Sequence, residues 1–375
     1  MTRPLRVVHV LARDALAGTE VMIAAQAGRT DPGVLRTTVL FLDRPGPIAA
    51  RLRAAGVPVV SLGAHGPLAS LPGLAAAIRR VRPDVLCGYG FRTGLATRVL
   101  GRALRPRART VTGIRGLYVT EIERLDGPRG RLVMAVERWT APLVDAYVAN
   151  SPGALTVLAE HGIPAAKLHH VPNGIDAADW PPVAREGRDG VPVIACIGRF
   201  TAVKRQEDLV AAVALLRARG VDARVRFAGD GPMLAAVRAQ VDRLGLADRV
   251  TLHGALAPVE VARLLADADV ACLPSTQEGM PGAVMEAMAS GLPVVGTAVN
   301  GIVDLVQDGA TGLLVAPRDP PALAAALERL LGDAPLRRRM GAAGRARVVE
   351  ELSLDRMVGA MTALYQGLAG PGDAP

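Results

Sequence analysis

DVACLPSTQEGMPGAVMEAMASGLPVVGT, residues 269–297, reads as a strand, a loop, a helix and a second strand. The apolar run ends near Ser275, the loop carries Glu278 and a Gly-Met-Pro-Gly turn, and a helix is expected from about Ala283. A continuously apolar strand followed at once by a helix is the repeating unit of a parallel sheet covered on both faces. Glu286 stands eight positions after Glu278, a little over two helical turns, which places Glu286 on the side of the loop. Free backbone N–H groups at the helix start favour an anion. Two carboxylates beside an anion site suit a ligand that carries both hydroxyls and phosphates, and a nucleotide sugar is such a ligand.

A second stretch, VPVIACIGRFTAVKRQEDLVAA (191–212), points the same way. The chain has 44 basic residues, of which only Lys167 and Lys204 are lysines. Lys204 follows Gly198 and Arg199 in the loop between an apolar strand and a helix. A compact ammonium there, with a planar guanidinium beside it, suits a diphosphate.

Outward from these two stretches, apolar strand-like runs alternate with helical ones along the whole chain: RVVHVL, TTVLFL, VPVVSL, DVLCGY, RTVTGI and DAYVANS in the first half, VPVIACIG, ARVRFAGDG, RVTLHGA, DVACLPS and LPVVGTA in the second. The rhythm predicts an α/β chain of two doubly wound, Rossmann-like sheets facing each other across a cleft. At 375 residues the chain has room for two domains. The expected division is residues 1–176, a linker over 177–190 (AADWPPVAREGRDG), and 191–352. A last helix over 353–368 is expected to pack back on the first domain.

Composition excludes several classes. Cys87, Cys196 and Cys272 each fall in an apolar strand-like run without pairing or metal spacing, so they read as buried thiols of a reducing compartment. The start, MTRPLRVVHVL, runs into a strand without a signal-peptide pattern, and no apolar run spans a bilayer. A cytoplasmic protein is expected, peripheral on the inner membrane face. Residues 1–176 hold 23 basic and 12 acidic side chains, whereas 177–375 hold 21 and 23. The basic half suits an anionic membrane leaflet or a lipid-phosphate acceptor. Four Tyr, four Phe and two Trp leave little for base stacking, and nucleic acid is not expected as a partner.

Some signals lead nowhere. Asp267-Ala-Asp269 straddles a helix end and a strand start, where Asp caps and turns are common. His169-His170 has no third ligand at suitable spacing. Gly229-Asp230-Gly231 does not complete a dinucleotide fingerprint, and there is no nucleophile elbow or Walker loop.

The order of motifs resembles the retaining glycosyltransferases of family 4, which have the GT-B fold. The resemblance covers nearly the whole chain: AGTE (17–20), NSPGALTVLAEHGIPAAKLHHVPNGID (150–176), GRFTAVKRQEDLV (198–210), FAGDGP (227–232), LHGAL (252–256), the Glu-x7-Glu block, and NGIVDLVQDGATGLLV (300–315). It implies a sugar transfer from a nucleoside-diphosphate donor to a glycan or lipid-linked hydroxyl acceptor, as in surface polysaccharide or glycolipid assembly, with retention and without a metal or other cofactor. Arg199 and Lys204 would hold the diphosphate and Glu286 the ribose. Glu278, with Gly279, Met280 and Pro281, would lie against the donor sugar, Gly198 would border the donor, and Gly18 would approach the phosphate or acceptor. The resemblance departs at Ala17, where a first Gly is common, and at Tyr89, which stands where a His usually does. A phenol donates a hydrogen bond but is a poor base at neutral pH. Arg92 and Arg115 are candidates to hold an anionic acceptor. Three rivals stand beside this reading: a sugar-nucleotide epimerase on the same fold, a phosphorylase, and a nucleotide-sugar-binding protein without catalysis.

Overall fold

A computed structural model describes residues 3–15, 18–63, 69–115, 128–182 and 190–370. It divides into two compact units, Met1–Gly174 with Leu354–Pro375, and Ile175–Ser353.

The first unit is a seven-stranded sheet: β1 (Leu5–Leu11), β2 (Leu35–Phe41), β3 (Val59–Ser61), β4 (Val85–Tyr89), β5 (Arg109–Ile114), β6 (Ala146–Ala149) and β7 (Leu168–His170). All neighbours pair in parallel, in the order β3-β2-β1-β4-β5-β6-β7. The strands are buried because Val, Ile, Leu and Ala occupy both faces, each face being covered by helices. The helix Leu354–Ala369 belongs to this unit: Met357, Met361 and Tyr365 join Val7, Val39, Val85 and Cys87 in one core cluster.

The second unit is a six-stranded parallel sheet: β8 (Val193–Ile197), β9 (Arg224–Ala228), β10 (Val250–Leu252), β11 (Val270–Leu273), β12 (Val294–Thr297) and β13 (Gly312–Val315), in the order β10-β9-β8-β11-β12-β13. The strand order in both sheets reverses beside the first strand, between β1 and β4 and between β8 and β11. In such sheets the crevice outside the carboxyl ends at the reversal is where ligands sit. The loop 198–205 leaves β8 there, and 274–281 leaves β11.

The structure moves several expected boundaries. The units part at Gly174 and Ile175. Of the expected linker 177–190, Trp180 is buried with Leu264, Met288 and Val348 in the second core, while 183–189 lie outside the described residues. The expected element GIVDLVQDG is a run of turns that leads into β13. Two helices, Pro320–Gly332 and Ala334–Glu351, are additions to the sequence reading.

Candidate functional site

The loop after β8 is tied down on both sides by main chain. Gly198 N donates to Ala228 O at 2.9 Å, Phe200 N to Asp230 O at 3.0 Å, and Thr276 N to Val203 O at 2.8 Å. The buried Gln206 caps the inside of the turn, its Nε2 donating to Arg199 O at 3.1 Å. Lys204 is thereby fixed at the entry to the helix Gln206–Ala218, and its Nζ lies 2.5 Å from Glu278 Oε1. The same oxygen accepts from Ser275 Oγ at 2.6 Å. Ser275 is fully buried, and its carbonyl accepts from Thr297 Oγ1 on β12. The two side chains of the ion pair are 20 % and 8 % exposed, so the pair is set into the wall and not waving in solvent. Arg199 is exposed, and its guanidinium makes no hydrogen bond or ion pair among the described residues.

Two glycines let the walls close. Gly229 has φ +142°, and a Cβ there would overlap the carbonyl of Gly198. Gly301 has φ +80°, and a Cβ would overlap the carbonyl of Gly279. Backbone thus lies directly on backbone behind both loops, an approach only glycine allows.

Met280 and Pro281 are buried where the loop turns into the helix Gly282–Ala289, one residue earlier than expected. Pro281 is the N-cap and offers no side-chain acceptor, and Gly282 at the first helical position is exposed. Glu286 lies one turn on, with Oε1 reaching back over Gly282. Its carboxyl is half-buried with no hydrogen-bond partner among the described residues, and burial pushes its pKa up to about 7. A carboxyl poised in this way accepts hydroxyl protons once ionised and carries a proton below neutrality.

In the first unit, Tyr89 closes β4 as a buried side chain, unlike an acceptor-facing phenol. Its Oη is 2.8 Å from Nδ1 of His9 in the middle of β1, and the two rings stack. His9 is 1 % exposed, and burial, helped by the charge of Arg115, lowers its pKa to about 3, so the imidazole is neutral. Burial raises the Tyr89 pKa far above the usual phenol range. Tyr365 completes the cluster, its ring edge-on to His9 and its Oη 3.4 Å from Cys87 Sγ.

Arg115, just after β5, donates from Nη1 to Asn173 Oδ1 at 2.5 Å, while Nε and Nη2 are buried without partners among the described residues. Burial lowers its pKa, the expected direction for a buried guanidinium. Arg92 is exposed in the first turn of the helix Phe91–Leu104. Gly18 opens the helix Gly18–Arg29, where a Cβ would meet only open space. Ala17 lies outside the described residues.

The discounted signals have structural employment. Asp267 pairs with Arg226 at 3.0 Å, and Asp269 Oδ2 accepts from Val193 N at 2.8 Å. All three cysteines are buried and free, and burial pushes the Cys87 and Cys196 thiols up to about 12. Sequence reasoning missed Ser275, Gly229, Gly301, His9 and Asn173 as parts of these clusters. Gly229, Gly301 and Asn173 stood in quoted motifs, which was the signal that could have found them.

Residues 6–179 match the family model described as Glycosyltransferase Family 4, and residues 183–347 the one described as Glycosyl transferases group 1. The chain is 35 % identical over 221 residues to an MMP alpha-(1->4)-mannosyltransferase of Mycolicibacterium hassiacum, covering 58 % of this chain and 52 % of that protein. It is 29 % identical over 333 residues to a GDP-mannose-dependent alpha-(1-6)-phosphatidylinositol monomannoside mannosyltransferase of Mycobacterium tuberculosis, covering 84 % and 85 %. Two further curated relatives are matched over 40 % and 61 % of their length, so the chain spans only about half of several relatives. In fold it superposes on Anabaena HepE, solved in complex with UDP, with a TM-score of 0.83 at 18 % identity over 96 % of this chain and 99 % of that one. The fold is GT-B.

Proposed function

Because the chain belongs to the group 1 glycosyltransferases of family 4, we propose that it moves a glycosyl group from a nucleoside-diphosphate sugar to a hydroxyl acceptor with retention. The observation that carries this reading is the Lys204–Glu278 ion pair on Ser275, beside the unpartnered Glu286, where the strand order of the second sheet reverses. The UDP bound by HepE supports a nucleotide donor for the shared fold.

In this reading Arg199 and Lys204 hold the diphosphate, and the ionised Glu286 accepts the ribose hydroxyls. Gly198, Gly279, Met280 and Pro281 line the donor, and Gly18 leaves open space for phosphate or acceptor. When the diphosphate takes Lys204, Glu278 keeps the Ser275 hydroxyl and is free to accept from a sugar hydroxyl. The bond from the anomeric carbon to the β-phosphate oxygen breaks, and the acceptor oxygen bonds to that carbon on the same face. The acceptor proton passes to the departing oxygen. The charge growing there is met by Arg199 and Lys204, which are already in place and supply the positive charge a metal would otherwise bring.

Tyr89 and His9 act as a rigid buried floor and not as a base. Arg115, with two donors free among the described residues, and Arg92 receive an anionic acceptor. The phosphatidylinositol acceptor in the name of the Mycobacterium tuberculosis relative supports a lipid-linked one. Such an acceptor places the protein at the cytoplasmic membrane face.

Thermal melting against UDP, GDP, ADP, dTDP and their sugar conjugates, with and without EDTA, tests the donor site. A nucleotide at ~100 times its dissociation constant adds about 2.7 kcal/mol. Stabilisation by one nucleotide family, unchanged by EDTA, is expected, and the anomeric proton of the product then reports retention. Silence from the whole panel removes the donor reading. Donor binding without turnover, even when a native membrane extract supplies acceptors, favours a non-catalytic binder. Release of nucleoside diphosphate with an altered free sugar and no acceptor favours an epimerase.

Donor affinity also depends on pH. Glu286 is protonated in the empty site below about pH 7, and binding ribose through its carboxylate must expel that proton. Affinity is therefore expected to rise as pH climbs towards 7, by up to tenfold per unit, and to level off above it. In Glu286→Gln the slope disappears. A wild-type profile that is flat between pH 5.5 and 8 removes the ribose assignment.

A further inference from the structure

The helix Pro128–Thr140 buries Met134, Glu137 and Thr140 and turns its other side to solvent. On that side Leu132 is 64 % and Trp139 82 % exposed. They stand seven positions apart with the exposed Ala135 between them, so they share one face over two turns. Arg131 and Arg138, also seven apart and exposed, border the strip. The only acidic residue of the helix is Glu137, which is fully buried and paired with Arg98. An indole left in water beside arginines, over a leucine, is the pattern of a helix that lies in a membrane interface.

We propose that this strip docks the first unit on an anionic lipid bilayer. Trp139 and Leu132 enter the boundary between headgroups and acyl chains, and Arg131 and Arg138 pair with lipid phosphates. Charge selects this occupant. The strip is purely basic and sits in a half of the chain with 23 basic and 12 acidic side chains, which an anionic leaflet attracts and a second copy of the same face repels. Two large side chains also fall far short of the ~800 Å² per partner of a stable protein interface. The inference goes beyond the transfer reading, since nucleotide binding by the second unit is measured separately and either result can stand without the other.

The chain's two tryptophans make the test direct, because Trp180 is 8 % exposed in the core of the second unit and only Trp139 faces water. The full chain is mixed with vesicles of phosphatidylcholine, with or without phosphatidylglycerol. Sedimentation with the anionic vesicles, a blue shift of the emission, and quenching by brominated acyl chains are expected. Leu132→Ser/Trp139→Ser should lower partitioning roughly tenfold or more and abolish the shift. Arg131→Glu/Arg138→Glu should lose the preference for anionic vesicles while Trp139 remains as reporter. Melting curves check that both variants are folded. Unchanged emission with anionic vesicles overturns the proposal, as does binding that both double variants retain. Concentration-dependent self-association lost in Leu132→Ser/Trp139→Ser assigns the strip to a second copy instead.

Discussion

Lys204→Ala is expected to lower kcat/KM for the nucleotide-sugar donor roughly thirtyfold or more, about 2 kcal/mol of lost stabilisation at the diphosphate. The side chain is set by the turn 198–205 and held 2.5 Å from Glu278 before any ligand arrives, so no ordering remains to be done when phosphate replaces carboxylate. If the ammonium acts mainly on charge that appears as the leaving oxygen departs, kcat falls. If it acts equally on bound donor, KM rises alone. Lys204→Arg should recover only part of the loss, because a planar fork cannot stand in for a compact charge between Ser275 and the turn. Steady-state kinetics with the donor found by thermal melting decide it, and wild-type kinetics in Lys204→Ala would refute the diphosphate assignment.

The second large effect is on stability. Arg98 and Glu137 are 1 % and 0 % exposed, joined by two hydrogen bonds, of which Arg98 Nη2 to Glu137 Oε2 measures 2.8 Å. Tyr147 Oη donates to Glu137 Oε1 at 2.8 Å. Glu137→Ala removes the carboxylate that both guanidinium nitrogens of the buried Arg98 donate to, and is expected to cost the first unit about 3–5 kcal/mol. Arg98→Met/Glu137→Leu removes both charges and should recover most of that. The measurement is the urea midpoint of the first unit's transition, with the slope watched for a change in the unfolded state. A single Glu137→Ala that melts like the parent would show that water already reaches the pair.

Much of this was legible in the sequence because parallel strands announce themselves as short apolar runs, and both sheets follow that rule. What stayed hidden had specific reasons. The strand β7 is three residues, LHH, and β13 is GLLV behind a glycine-rich turn, each too short for periodicity to register. The helix Ala334–Glu351 buries Leu336, Met340, Gly341, Gly344 and Val348, so two of its contact positions are glycines, which read as breakers. Gly341 is there because a Cβ would strike the carbonyl of Gly291, a fact of packing and not of propensity. At the candidate site the charged residues were visible through spacing and scarcity, Glu278 and Glu286 by the first and Lys204 by the second. Their supports were not. Ser275 reads as the end of a strand, and His9 as one polar residue in RVVHVL, until the sheet order brings β1 beside β4.

The first unit is discontinuous, and that has a consequence for how the chain comes into being. Its core includes Met357, Met361 and Tyr365, yet all of Ile175–Ser353 intervenes between them and Gly174. At the usual ~5–20 residues per second of synthesis, the sheet around His9 and Cys87 waits roughly 10–40 s for its last helix. The second unit, which is one unbroken stretch, has every residue of its core on hand before then. Ordinary vectorial folding, amino-terminal part first, is thus reversed. The early half leaves the ribosome unfinished, the later half finishes first, and the nascent chain is most exposed to chaperones and proteases in its oldest segment.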